Sequence, residues 1–223
     1  MKKITFLTQY YVPEMGAPPA RISETASGLE QRGHIVKVVT AVPNRPEGRV
    51  HKGYQDKFVY RSVENEISVT RVCIFLPNRF GEFFSRLLTE ASFIVSVIVF
   101  ALRDLRDSDV IVIQNPPLFS GMLSFSLKFL TKAKIVNWCS DVWPDLHVEL
   151  GTLDKNSIVT KVMRVMQRIS LHYSDAVAVT TKNSIYQVQT LYRAKKCFLW
   201  PNGVDTSYFY PHTADARLRE GWR

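Results

Sequence analysis

The chain has no glycine-rich phosphate loop. After a first strand-like run, Ile4 to Thr8, the turn "YYVPEMGAPPAR" carries a single glycine, Gly16, where a dinucleotide-binding G-x-G-x-x-G would need three. A nicotinamide-type reading is therefore weak. The three cysteines, Cys73, Cys139 and Cys197, lie far apart with no metal-ligand spacing. That argues against a disulfide framework and a metal centre, and for reduced thiols in a cytosolic protein. The longest apolar run, residues 91–102, falls short of the roughly 20 residues of a spanning helix, so a core helix is expected there. "MKKITFLTQYY" turns polar too soon for a secretory signal and lacks a small-residue cleavage site. Acidic excess is missing too: 29 Lys and Arg stand against 20 Asp and Glu, a net charge of +9. Such a surface suits phosphorylated substrates, anionic headgroups or nucleic acid. Nucleic acid ranks last, because the basic residues are dispersed and no aromatic-rich basic motif accompanies them.

What is present is an alternation of strands and helices. "KITFLT", "HIVKVVTA", "DVIVIQ", "AKIVNWC", "DAVAVTT" and "KCFLW" are short, β-branched, nearly uninterrupted apolar strands. Helical stretches are expected over residues 22–32 (closed by Gly33), 82–106, 118–131, 155–173 and 182–192. "KFVYRSV" and "ISVTRVCIFL" read as a hairpin or an edge extension. Strands apolar on both faces, separated by helices, predict an α/β fold with a Rossmann-like, doubly wound, mostly parallel sheet. There is no internal repeat and no low-complexity linker.

In such a fold the loops after the carboxyl ends of the strands form the ligand crevice. Four of them carry unusual chemistry: "YYVPEMGAPPAR", "VPNRPEG", "NPPLFSG" and "SDVWPDLHVELG". In the first, Pro13, Pro18 and Pro19 stiffen a turn in which Gly16 lets backbone approach a ligand. The helix that follows offers free N–H groups to a phosphate or sugar oxygen, and Arg21 could add a bidentate contact. The alternative is a proline that simply starts the helix, with Arg21 in solvent. Gly16, Ala17 and Arg21 are substrate-binding candidates from this loop; Asn44, Arg45 and Asn115 are expected to line the crevice from the next two.

Taken together, "P-x-x-G" at 13–16, "ARISETASGLEQRGHIVKVVT" at 20–40, "PNRPEG...KGY" at 43–54, "D-x-W-P" at 141–144 and "PNGVD" at 201–205 resemble the amino-terminal domain of glycosyltransferase family 4. The likeness is to retaining enzymes of the GT-B fold that act in bacterial O-antigen or exopolysaccharide biosynthesis, and it covers nearly the whole chain. It implies a nucleotide-sugar donor bound mainly by a second domain, a lipid-linked saccharide acceptor bound mainly by this one, and no further cofactor or metal. An acceptor-binding domain over residues 1–205 and a linker or tail over 206–223 are the expected organisation. On this reading the chain is half of an enzyme and inactive alone. Two alternatives stay open: a stand-alone binding module for lipid-linked diphosphate sugars, and part of a nucleotide-sugar epimerase of the same architecture.

Many family members carry a histidine in the loop after the strand matching "AKIVNWC"; here there is none before Asp141. Asp141 is the catalytic candidate, orienting an acceptor hydroxyl or assisting its deprotonation, with Trp143 beside it as a substrate contact. A helix-capping role is the alternative for Asp141, and a surface position is expected for His147. "EFFSRLLTE", Glu82 to Glu90, has the spacing of the family's donor-holding glutamates but precedes "D-x-W-P". With Arg86 it reads instead as a solvated face of i,i+4 charge pairs. In the helix from Lys155, Ile158, Val162, Val165 and Ile169 are expected against the sheet, with Lys161, Arg164 and Arg168 outward. That stripe, and Phe83, Phe84 and Leu87 beside Arg86, could also meet anionic headgroups. The expected location is cytoplasmic, extending to peripheral attachment at the inner face of the plasma membrane.

Overall fold

The apolar runs pair into one sheet at the centre of the computed structural model, which describes residues 1–77, 82–204 and 206, except the side chains of 82 and 83. Its strands are β1 (Lys3–Leu7), β2 (Ile35–Ala41), β3 (Val59–Glu64), β4 (Ile67–Val72), β5 (Val110–Asn115), β6 (Lys134–Cys139), β7 (Ala176–Val179) and β8 (Cys197–Leu199). They lie in the order β3-β4-β2-β1-β5-β6-β7-β8. Every pairing is parallel except β3 with β4, the expected hairpin, which forms one edge. Asp205 and the rest of the expected tail, Thr206 excepted, lie outside the described residues.

Alternate residues of each strand feed opposite faces, as the pleat requires. Phe6, Val38, Val112 and Trp138 pack with Ile22 and Ala26 of α1 (Ala17–Glu30). Leu7, Val39, Ile111, Ile113 and Ile135 pack on the other face with α2 (Glu82–Ser96), α3 (Leu102–Arg106) and α4 (Leu118–Leu130). A π-helical turn, Val97–Ala101, joins α2 to α3. The short α5 (Asp145–Glu149), α6 (Ile158–His172) and α7 (Lys182–Tyr192) complete the chain. The first helix starts at Ala17, five residues before the expected position. Proline fits an opening turn because its missing N–H is unpaired there anyway.

Two expectations about the helices fail. The run 91–102 is only partly core. Phe93, Val97, Ala101 and Leu105 point into the sheet, but Phe84, Leu88, Val95 and Val99 on the opposite side are exposed. The stretch Phe84–Arg106 is long and apolar enough to cross a membrane by length and composition, and only 22% of it is buried. In α6 the apolar row expected against the sheet fails: Ile158 (79% exposed), Val162 and Val165 face outward, while Lys161 and Arg168 are exposed as expected and Ile169 is half-buried. Thr160, Gln167, Ser170 and Leu171 face in.

The reason lies in the ends of β5 and β6 beneath α6. There Asn115 donates to Gln167 Oε1 (2.9 Å) and Asn137 Oδ1 (3.3 Å), and Asn137 donates to Ser170 Oγ (2.8 Å). A polar inner wall pulls the polar side of α6 inward, because buried amides left unpaired would cost about 1–3 kcal/mol each. Asn115 is thus fully buried in this seam rather than lining the crevice, which corrects its expected role. Gly121 of α4 sits at the closest point; a Cβ there would come within 2.6 Å of Ser170 Oγ and 2.9 Å of Asn115 Nδ2. Gly121→Val is expected to lower stability by about 2 kcal/mol or more, read as an earlier urea midpoint; an unchanged midpoint would mean the seam is not closely packed.

Candidate functional site

The strand order reverses between β1 and β5. From β1 the chain builds toward β2 and β4, and then returns across α2 to add β5 on the far side. A crevice outside the carboxyl ends is the expected ligand position at such a reversal. A cavity of about 770 Å³ opens there. Pro18 reaches it from the first exit loop, Asn44 and Arg45 from the second, Pro116 and Pro117 from the third, and Trp143 from the fourth. The four loops therefore converge on one edge. Each also contains a cis X-Pro bond: Val12-Pro13, Arg45-Pro46, Asn115-Pro116 with Pro116-Pro117, and Trp143-Pro144.

The loops hold each other. Buried Glu14 accepts hydrogen bonds from the backbone N–H groups of Asn44 (2.9 Å) and Arg45 (3.0 Å), fastening the first loop to the second. Arg45 then lies over the Tyr10 ring at 3.9 Å and donates to its hydroxyl at 2.8 Å. Burial raises the Tyr10 phenol above its ordinary value, while the Arg45 charge opposes it. Ser140 N–H donates to the Asn115 carbonyl, joining the third and fourth loops. The fourth is anchored below by Asp145, which accepts from Arg164 Nη2 (2.7 Å) and from the Tyr192 hydroxyl. Burial first, and then this carboxylate, push the Tyr192 phenol up. Arg71 of β4 pairs with Glu64 and donates to the Val12 carbonyl (2.7 Å), tying the edge hairpin to the first loop.

The candidate residues divide into three groups. Asn44, Arg45 and Trp143 line the cavity, although the Asn44 amide donates to the Val42 carbonyl (3.2 Å). Gly16, Ala17, Arg21 and Asp141 belong to the first and fourth exit loops but do not line the cavity. Gly16, at φ 141°, is the N-cap of α1, in a backbone conformation other residues rarely adopt. Ala17 is exposed. Arg21 is half-buried: it donates to Asn202 Oδ1 (3.0 Å) and lies 5.3 Å from the Trp138 ring centre. Burial lowers its guanidinium from its ordinary value, and the Asp141 charge works against that. The Asp141 side chain is exposed, and α5 has no side-chain cap. Asn115 alone belongs to the interior.

Several residues that line the cavity are missing from the sequence reading. Gln9, 2% exposed, lines it while its amide oxygen is buried without a partner. His147, expected at the surface, is half-buried and meets Trp143 edge-on, 4.2 Å between ring centres. Its position four residues after Trp143, across the start of a short helix, was the available signal. Glu90 departs most from expectation. It is not on a solvated face: α2 turns it toward the first turn of α4, where it accepts the Phe119 N–H at 3.1 Å and lines the cavity. The side chain of Glu82 lies outside the described residues.

Burial pushes the Glu90 carboxyl up to about 7, against the Phe119 N–H and the Arg86 charge, which lower it. The unfolded chain then loses this proton first, from an ordinary value of 4.5. The stabilisation is complete below pH 4.5 and is lost as pH rises through 7. Glu90→Gln should remove that slope, leaving the variant about 3 kcal/mol more stable than the parent at pH 8. The difference should close below about pH 4.5; urea unfolding at both pH values measures it.

Comparison with known proteins agrees with this geometry. The chain is 27% identical over 210 residues to a protein of Escherichia coli (strain K12) described as the colanic acid biosynthesis glycosyl transferase WcaI, covering 92% of this chain and 51% of that protein. Among solved structures, a sucrose-phosphate synthase from Thermosynechococcus elongatus superposes with a TM-score of 0.64 at 15% identity, covering 99% of this chain and 53% of that one. The catalytic domain of starch synthase IV from Arabidopsis thaliana gives 0.60 at 15% identity, covering 95% and 54%. WaaG, a glycosyltransferase involved in lipopolysaccharide biosynthesis, gives 0.56 at 14% identity, covering 99% and 52%. The chain spans about half the length of these relatives. Its doubly wound sheet is the amino-terminal half of a GT-B fold. The sequence pattern of Glycosyltransferase Family 4 matches residues 20–208, and the chain belongs to that family.

Proposed function

We propose that this chain forms the acceptor side of a retaining glycosyltransferase that moves a sugar from a nucleotide-sugar donor to a lipid-linked saccharide. The observation that carries the reading is the convergence of four exit loops on one cavity at the strand-order reversal. Trp143 and the proline wall offer flat apolar surface to a sugar ring, and Arg45 a planar cation to a diphosphate. Asp141, exposed on the fourth exit loop, orients or deprotonates the attacking hydroxyl. Residues 1–205 act as the acceptor domain, and transfer requires a donor presented across the cleft. The relatives support a saccharide product: WcaI by its description in colanic acid biosynthesis, WaaG in lipopolysaccharide biosynthesis. O-antigen or exopolysaccharide assembly is the corresponding role here.

A lipid-linked acceptor places the chain at a membrane, and the outer helices suit one. The exposed row Phe84, Leu88, Val95 and Val99, with Phe125 and Phe129 on α4, adjoins the exposed row of α6, where Lys161 and Arg168 are also exposed. Apolar side chains with flanking cations favour anionic headgroups. The site of action is then the inner face of the plasma membrane, from the cytoplasmic side.

Two measurements test these readings. Saturation-transfer NMR of the chain with farnesyl diphosphate-linked glucose, UDP-glucose and GDP-mannose is expected to show signal from the first and none from the nucleotide sugars. The reverse pattern would overturn the acceptor assignment. Sedimentation with phosphatidylglycerol vesicles should carry the chain down, and Ile158→Glu with Val162→Glu should reduce the bound fraction at least several-fold. Equal binding by parent and double variant would remove α6 from the membrane contact.

A further inference from the structure

Two carboxylates line the cavity among the described residues, Glu47 and Glu90. Glu47 is exposed on the second loop and pairs with His51 at 3.2 Å. Glu90 differs in being fixed by regular structure on both sides. Its backbone belongs to α2, and its Oε2 accepts the Phe119 N–H of α4 at 3.1 Å. Oε1 has no hydrogen-bond partner among the described residues. A carboxylate held by one oxygen presents the other in a set direction. Gln9 lines the same cavity, and its own amide oxygen is also without a partner. These groups accept hydrogen bonds, and a saccharide supplies donors through its hydroxyls.

Building on the acceptor reading above, we propose that Glu90 is a substrate-binding residue of the cleft, its Oε1 accepting a hydrogen bond from a hydroxyl of the acceptor sugar while Oε2 remains on the Phe119 amide. No bond is made or broken in this step. Trp143 and His147 then bound the sugar from the fourth loop and α5.

The consequence is a pH dependence of sugar binding. An ionised carboxylate makes the stronger hydrogen bond to a hydroxyl, and burial places the change of Glu90 at about pH 7. Arg86 faces it from its own helix, Tyr10 with Arg45 from the first two loops, and Glu47 and His147 line the same cavity. From α4 it meets the Phe119 main chain. A variant that alters Glu90 and leaves His147 in place isolates the part of Glu90. Glu90→Gln does so and keeps an oxygen for the Phe119 N–H.

The test is saturation-transfer NMR of parent and Glu90→Gln with the methyl glycosides of glucose, galactose and mannose, which do not titrate, at pH 6 and pH 8. At least one glycoside should bind the parent about five-fold more tightly at pH 8, while the variant binds it weakly and equally at both. A flat parent profile, or the same slope in the variant, overturns the role of Glu90. So does saturation of farnesyl diphosphate-linked glucose with no glycoside bound. If neither kind of probe binds, the acceptor reading itself fails, and this inference with it.

Discussion

Strand direction decides where chemistry can occur in this chain. Every strand but β3 points the same way, so every polar exit loop must emerge at one edge. The reversal of order between β1 and β5 then prevents adjacent loops from closing over each other. Shared polarity fixes only a location; shape comes from the links between loops. Glu14 bonds to two successive backbone amides of the second loop, Arg45 covers Tyr10, and Ser140 reaches the third loop. Each link joins segments far apart in sequence, so the cleft wall exists only once the sheet has formed.

Behind that wall the interior is unusually polar. Asn115, Asn137, Gln167, Ser124 and Ser170 are all fully buried at the α4–α6 contact. The amide bonds from Asn115 and Asn137 tolerate little displacement of α6, because sliding it would strand several groups at once. The first turn of α4 forms part of the cavity, and the seam sets its position from below while Glu90 holds it from the side. Fold energetics and site geometry meet in this helix.

Fold class and location of the cleft were legible in the sequence for concrete reasons. Uninterrupted β-branched runs such as "DVIVIQ" report burial on both faces, and proline with glycine after such runs reports a loop. Pro18, Asn44, Arg45 and Trp143 follow from that logic and do line the cavity. The errors share one cause. Asn115 and α6 were misplaced because a pattern of apolar and polar residues reveals which side of an element is greasy, not what lies opposite. When the facing helix offers serine and glycine and the strands beneath offer asparagine, polar side chains go in. Glu90 was missed likewise: i,i+4 charges resemble a solvated face until the neighbouring helix is known to end against them. Glu14, whose role depends entirely on a loop 30 residues away, left no local signal.

The exposed apolar row of α6, beside Phe125 and Phe129 of α4, bears on the solvent these helices can tolerate. Most helix pairs adhere because water expels their greasy sides, a force that vanishes in hydrocarbon. Here small residues at Ser120, Gly121 and Ser124 permit close approach of α4 to α6, while side-chain amides of β5 and β6 hold α6 to the sheet by bonds that need no surrounding water. Close approach at small residues is how helices associate inside a bilayer. Acyl chains against the outer surface would leave the buried approach of Gly121 to Ser170 as it is.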